Sequence, residues 1–361
     1  PPSAMTANVL MVAGGGGGGV GVGGGGGAGG LLFYEGQTLS GQKTIVVGNR
    51  GFGAFGPTSG GIGSENGANT FVTGLTTAIG GGAGNGYNTN VSLTNGNSGG
   101  SGGGGGHGGS GGSGTTGPPR QGYDAGDASG TNVGSGGGGA GGAGGNAVNY
   151  VAGNGGLGYL STFDSIYGDG GYFASGGGGA SRSDGASGQS VGTASQGGGS
   201  DGTLSSVKPS DAQKHTGGGG GGCGYNGSQG NTSTRFAGSG GSGVVLIKQA
   251  SYLLEATFSD SWTSGTTTVT LGYSFTLPTV TNITGVTVTG SVDSATRGTY
   301  DVSWSKVVGG ILRTVTRRFV VGMFRYLAFY GDGFGTDTDN GQTFHELELA
   351  LNTPLGGYNN I

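Results

Sequence analysis

The chain has 361 residues, 101 of them glycine, against an ordinary usage of roughly 7%, and this excludes an average apolar core. Charged residues make up only 9%, with 14 basic against 18 acidic and a net charge of -4, which excludes the basic patch of a nucleic-acid binder. A single cysteine, Cys223, excludes an intrachain disulfide framework and a cysteine metal cluster.

The glycines are distributed unevenly, with 87 before residue 251 and 14 after it. The shift predicts a glycine-rich domain over 1–250 and an all-β domain over 251–361. No stretch approaches the roughly 20 apolar residues that span a bilayer, and Pro1 to Ala7 lacks the basic and apolar regions of a secretory signal. A chain that does not insert into membranes is expected.

In chain order, the first element is an apolar run, Asn8-Val-Leu-Met-Val-Ala13, leading into a glycine run from Gly14 to Gly30. Leu31 to Tyr34 and Thr44 to Val47 follow, with the spacing of an antiparallel hairpin. Further runs occupy 80–86, 99–114, 134–145, 176–179, 197–199, 217–224 and 238–243, and Val244-Val-Leu-Ile-Lys248 closes the region. The two apolar runs that bracket it are expected to share a sheet. Cys223, set among glycines, reads as a small buried residue.

So much Gly and Ser has a default reading as a random-coil linker. Collagen fails for want of a three-residue period and with only 8 prolines. The expectation taken here is a bundle of polyglycine-II rods, each with about 3.1 Å rise per residue and no internal hydrogen bonds. Glycine lets such rods approach closely enough for N–H and C=O groups of neighbours to pair.

The segments between the rods carry most of the scaffold's aromatic and charged residues: Tyr87, Arg120, Tyr123, Asp124, Asp127, Tyr159, Phe163, Asp164, Tyr167, Tyr172, Phe173, Arg182 and Tyr225. Tyrosine with nearby Asp, Asn and Ser is the composition of adaptable recognition surfaces. The competing reading is that these side chains only plug the bundle's edges. The loops 117–131 and 159–173 are the leading candidates for receptor contact.

Beyond residue 250, alternation over Thr266–Leu271, Gly285–Thr289, Tyr300–Trp304 and Arg313–Arg317 predicts an antiparallel sandwich or barrel. The dense apolar segment with Phe319, Met323, Phe324, Tyr326, Phe329 and Tyr330 reads as core packing, with a subunit interface as the sharper alternative. Asp337, Asp339 and Glu346 imitate a calcium loop, but Gly335 holds its first ligand position and Asn340 the turn glycine's place, so a solvated acidic turn is the better reading. His107, His215 and His345 lie far apart and indicate neither a metal site nor a triad. GxGxxG matches carry no information in a chain this rich in glycine, and Gly36 to Thr44 has an extra residue for a phosphate loop. No cofactor and no enzyme activity are expected.

The ordered landmarks VLMVAGGGGGG, VVGNRG, NTFVTGLTTAIGGGAG and GSGGSGVVLIK, spanning residues 8 to 248, resemble the glycine-rich domain of phage tail and other virion proteins and of bacterial surface proteins. A similar layout, a β-sandwich whose loops are replaced by glycine helices, occurs in the ectodomain of anaplastic lymphoma kinase. The resemblance implies a virion structural protein of a tail fibre, spike or capsid fibre, on a virion surface or extracellular. The implied partners are other virion or surface proteins, copies of the chain itself, and a host receptor or glycan. A cellular surface filament, a capsid decoration protein and a surface-glycan hydrolase are the alternatives.

Overall fold

The structure is a computed structural model and describes residues 5–56, 62–87, 94–163, 165–183, 188–226, 234–249, 266–270, 287–292, 298–308, 311–322, 325–330 and 342–347. Among them there is no α-helix and no closed barrel; the regular structure is β. The strands of the glycine-rich region are β1 (Met5–Val12), β2 (Leu31–Leu39), β3 (Lys43–Val47), β4 (Phe55–Gly56), β5 (Phe71–Val72), β6 (Tyr159–Leu160), β7 (Tyr172–Phe173), β8 (Arg182–Ser183), β9 (Tyr225–Asn226), β10 (Arg235–Phe236) and β11 (Val244–Gln249). After residue 250 come β12 (Thr266–Thr270), β13 (Thr287–Thr289), β14 (Gly298–Val308), β15 (Ile311–Gly322), β16 (Arg325–Tyr330) and β17 (Gln342–Leu347).

The bracketing runs share a sheet as expected: β1 pairs antiparallel with β11, Val9 opposite Ile247 and Val12 opposite Val244. Alternation along β1 gives each face its own core. Val9 and Met11 pack with Ile45, Val47, Val72, Val245 and Ile247, so β3 and β5 cover that side. Leu10 and Val12 point the other way, to Phe163, Phe173, Val244 and Leu246.

The expected hairpin between Leu31–Tyr34 and Thr44–Val47 does not form. β2 pairs with β1, while β3 pairs with β5 and β17 in the facing sheet. Burial decides this, because Leu32 and Leu39 reach Ile45 and Val47 across the core rather than along a ladder.

Between β1 and β2 the chain runs out and back as two glycine rods, 14–19 and 23–30, joined by a turn at Val20 to Val22. Their hydrogen bonds step by three. Ala13, Gly16 and Gly19 donate to the carbonyls of Gly30, Gly27 and Gly24; Gly14 and Gly17 donate to Ala68 and Glu65; Gly15 and Gly18 donate to Gly241 and Gly238. The carbonyls of this rod accept in the same rhythm, Gly14 and Gly17 from Gly81 and Gly84, Gly15 and Gly18 from Gly51 and Ala54, Gly16 and Gly19 from Gly220 and Cys223. The rod therefore bonds six neighbours, three as donor and three as acceptor, with the three-residue period of an extended helix of polyproline type. A buried unpaired N–H costs about 1–3 kcal/mol, whereas a glycine buries no side chain, so this pairing takes the place of a core.

The C-terminal strands divide. β13 and β14 pair antiparallel, as do β14 and β15, but β12 joins β15 in parallel, contrary to the all-antiparallel expectation. The other two strands pair into the glycine-rich region: β16 extends the first sheet through β11, and β17 adds to β3. The two larger sheets of that region, β11-β1-β2 and β3-β5, thereby each gain a strand from beyond residue 250.

Candidate functional site

The rods separate two chemically different ends of the glycine-rich region. At one end lie β1, β2 and β11 with both apolar cores. At the other, the turn at Val20 to Val22 is surrounded by the ends of neighbouring rods, and Val20, Ala54, Cys223 and Ala237 form a small buried cluster there.

This loop end holds a cleft of about 280 Å³ lined by Gly21, Val22, Tyr87, His107, Thr131, Asn132, Arg182 and Tyr225. Backbone bonds fix its walls. The Tyr87 N–H donates to the Gly21 carbonyl at 3.0 Å, that of His107 to Val133 at 3.2 Å, and that of Arg182 to Asn132 at 3.0 Å. The rings of Tyr87 and His107 lie 4.4 Å apart, centroid to centroid. Nδ1 of His107 bonds the Thr131 carbonyl, which can only accept, so this nitrogen carries the proton. The Arg182 guanidinium donates to Oδ1 of Asn132 at 3.3 Å and lies 5.3 Å from the Tyr225 ring centroid. Buried Arg235 approaches the same ring to 4.8 Å, so one tyrosine holds two guanidinium groups.

Two of the lining residues have left-handed backbone angles without being glycine: Val22 at φ 57° and His107 at φ 50°. For a β-branched residue this is a strained conformation. Beside the cleft, β4 and β10 bring the rings of Phe55 and Phe236 together at 6.1 Å, nearly parallel, and Ile62 bridges to Phe55. All three are exposed, by 42%, 46% and 58%.

Of the candidate receptor residues, Tyr87 lines the cleft, together with Arg182 and Tyr225 from the same class of segment, while the two leading loops contribute only Thr131. Others have different work. Arg120 stacks on Tyr123 at 4.5 Å, next to Gln121, whose carbonyl accepts from the Leu31 N–H at the strand end. Phe163 and Phe173 are core residues, 6% and 0% exposed against Leu10 and Leu246, and this corrects their assignment to a receptor surface. An aromatic side chain beside a sheet with no other apolar cover is drawn into that core. Tyr159 and Tyr167 pack partly buried on the same cluster, and Tyr172 turns back to Asp169. Asp164, Met323, Phe324, Asp337 and Asp339 lie outside the described residues. Phe319, Tyr326 and Glu346 fall on β15, β16 and β17, of which the backbone is described there. Phe329 packs against the first core, and the Tyr330 ring lies 4.5 Å from that of His215.

Asp124 and Asp127 accept backbone N–H bonds from Gly114 and Gly111, both at 2.8 Å. Asn66 and Asn69 do the same for Ala83 and Gly80, both at 2.8 Å. Each pair steps by three along its own segment and along the rod it serves. These side-chain oxygens stand where the carbonyls of a further rod would be, which is the edge-plugging role.

His107 was not legible as a site residue, since no partner stands near it in sequence. The signal available was the short Gly-His-Gly break at the end of the run from Gly102 to Gly106.

A family model described as a glycine-rich domain matches residues 1–250. The chain belongs to this family. No curated protein gives a significant match. The domain so delimited ends at β11, the strand whose other edge takes β16. Among the described residues no helix is long and apolar enough to cross a membrane, and no cluster of three metal-ligating side chains occurs.

Proposed function

We infer that this is a non-enzymatic structural protein of a virion surface, belonging to a tail fibre, spike or capsid fibre, whose loop end contacts the host. In this reading the glycine segments form a polyglycine-II bundle mounted on a β-sandwich. The observation that carries it is the segregation of chemistry: glycine rods fill the middle, while the cleft and the exposed pair Phe55 and Phe236 stand together at the end away from β1 and β11. Rods without side chains offer a partner no chemical identity, so specificity must reside in the loops they hold apart. The non-enzymatic reading is supported by Asp124 and Asp127, whose carboxylates accept rod N–H groups instead of facing each other across a cleft. The strands β16 and β17, which join the glycine-rich domain to the chain beyond residue 250, suit a subunit whose far end is tied into a larger assembly.

Immunogold labelling of purified particles with antibodies against the loop end tests this. Labelling on virion surfaces, with attachment to host cells blocked by the purified chain, is expected. Labelling confined to cellular filaments, with no particle decorated, would replace the reading with a cellular surface protein.

A further inference from the structure

We propose that β16 and β17 also serve as donor strands between copies, those of one chain completing the sheets of its neighbour. This rests on the reading above, in which the far end is tied into an assembly, and names a second copy of this chain as the partner. The two strands stand apart from the rest of the chain beyond residue 250. Among the described residues, β12 to β15 pair only with one another, whereas β16 pairs with β11 and β17 with β3. Only Met323 and Phe324 separate β15 from β16 in sequence. No ladder joins the donor strands to the C-terminal sheet, so moving them to another copy breaks none within either group.

The second, independent observation is the acceptor edge. Val244 to Ile247 on β11 are buried, and Phe329 of β16 packs on the first core. β16 meets β11 over six residue pairs, and Gln342, Thr343 and Phe344 of β17 meet Val47, Val46 and Ile45 of β3. An uncovered edge of this composition is a template for any strand of matching register. The family domain stops at residue 250, short of both strands that close its sheets, so closure is supplied from outside it. A second copy offers the same residues in the same register, so exchange loses no contact. The choice between a chain's own strands and its neighbour's then falls to the connection and to local concentration, which an assembly raises. Donor and acceptor are different surfaces, so each link leaves one of each unused and the copies join head to tail.

The test is disulfide crosslinking in the full chain, with Cys223→Ala as background. Lys248 and Tyr326 are opposite partners in the ladder, so Lys248→Cys and Tyr326→Cys bring two thiols within bonding reach. The two single variants are mixed at high concentration, unfolded, refolded together and oxidised. A disulfide-linked dimer of the two is expected, at least tenfold more abundant than the dimers either variant forms alone. The double variant should close on itself when dilute and form linked oligomers when concentrated. Leu246→Cys with Ala328→Cys, two residues along the same ladder, repeats the contrast should the first pair fold poorly. Mixed variants that stay monomeric while the double variant closes on itself at every concentration overturn the proposal, as does a double variant that forms no disulfide. Absence of mixed dimers leaves the virion-surface role standing; mixed dimers from a chain that labels no particle remove that role and leave the exchange standing.

Discussion

Gly26 donates its N–H to the carbonyl of Gly220 at 2.7 Å, and its own carbonyl accepts from Gly177 at 2.9 Å. Three rods meet there backbone to backbone, and a Cβ on the adjacent Gly219 would fall far inside van der Waals contact with the Gly26 carbonyl oxygen.

Gly219→Ala is therefore expected to destabilise the chain by about 3 kcal/mol or more, since the clashing atoms are backbone and cannot swing aside. Gly63, where a Cβ meets nothing within 4 Å, is the control. Gly63→Ala should be neutral or stabilise by about 0.4–1 kcal/mol through the unfolded chain. Denaturant unfolding of the two variants decides it, and equal effects would mean that the rods are not close-packed.

The edge carboxylate Asp127 accepts from the Gly111 N–H, a role that an amide oxygen fills equally well. Asp127→Asn should leave stability within about 0.5 kcal/mol, whereas Asp127→Ala should cost about 1 kcal/mol. Faster hydrogen exchange at the Gly111 amide in the alanine variant alone would locate the effect.

Cys223 is buried, and desolvation pushes its thiol up to about 11 despite hydrogen bonds and the Arg235 charge that act against it. A neutral-pH thiol reagent should not modify the folded chain and should react at once on unfolding. Because the folded pKa is the higher one, the contribution of this thiol to stability is complete below about 9 and is lost as pH rises from about 9 to 11. Cys223→Ala should flatten the alkaline limb of the stability profile over that window.

His215 has its pKa lowered, first by burial and then by the charge of Lys214, and its ring contacts Tyr330 on β16. Its folded pKa lies below the usual 6.5, so its contribution is present above that value and is lost as pH falls through the folded pKa. Unfolding midpoints should fall on mild acidification, and less so in His215→Phe, which keeps the ring without the proton. An unchanged acid response in that variant would show that other groups govern it.

The edge of β11 is covered by β16 over six residue pairs, from Val244 opposite Tyr330 to Gln249 opposite Arg325. A chain ending at residue 250 would expose that apolar edge and is expected to self-associate on size exclusion. A peptide of residues 325–330 should suppress the association; a monodisperse truncated chain would refute the edge's importance.

Composition and pattern alone determined the large features. The glycine excess announced a scaffold without an ordinary core, the bracketing runs at Val9 to Val12 and Val244 to Ile247 announced a shared sheet, and the isolated Cys223 announced a buried thiol. These follow from local chemistry, since period-two apolar runs require a sheet and Gly runs permit backbone contact. The tertiary structure alone decided the rest. Phe163 and Tyr87 look alike in sequence, each an aromatic between glycine runs, yet one faces Leu10 in the core and the other lines the cleft. The spacing Asp124-Ala-Gly-Asp127 becomes meaningful only beside a rod whose N–H groups recur at the same interval. His107 meets Tyr87 and Thr131 because rods of different lengths turn at one level. A rod's neighbours are chosen by close packing in three dimensions, and glycine, identical at every step, carries no record in the sequence of which rod lies beside which.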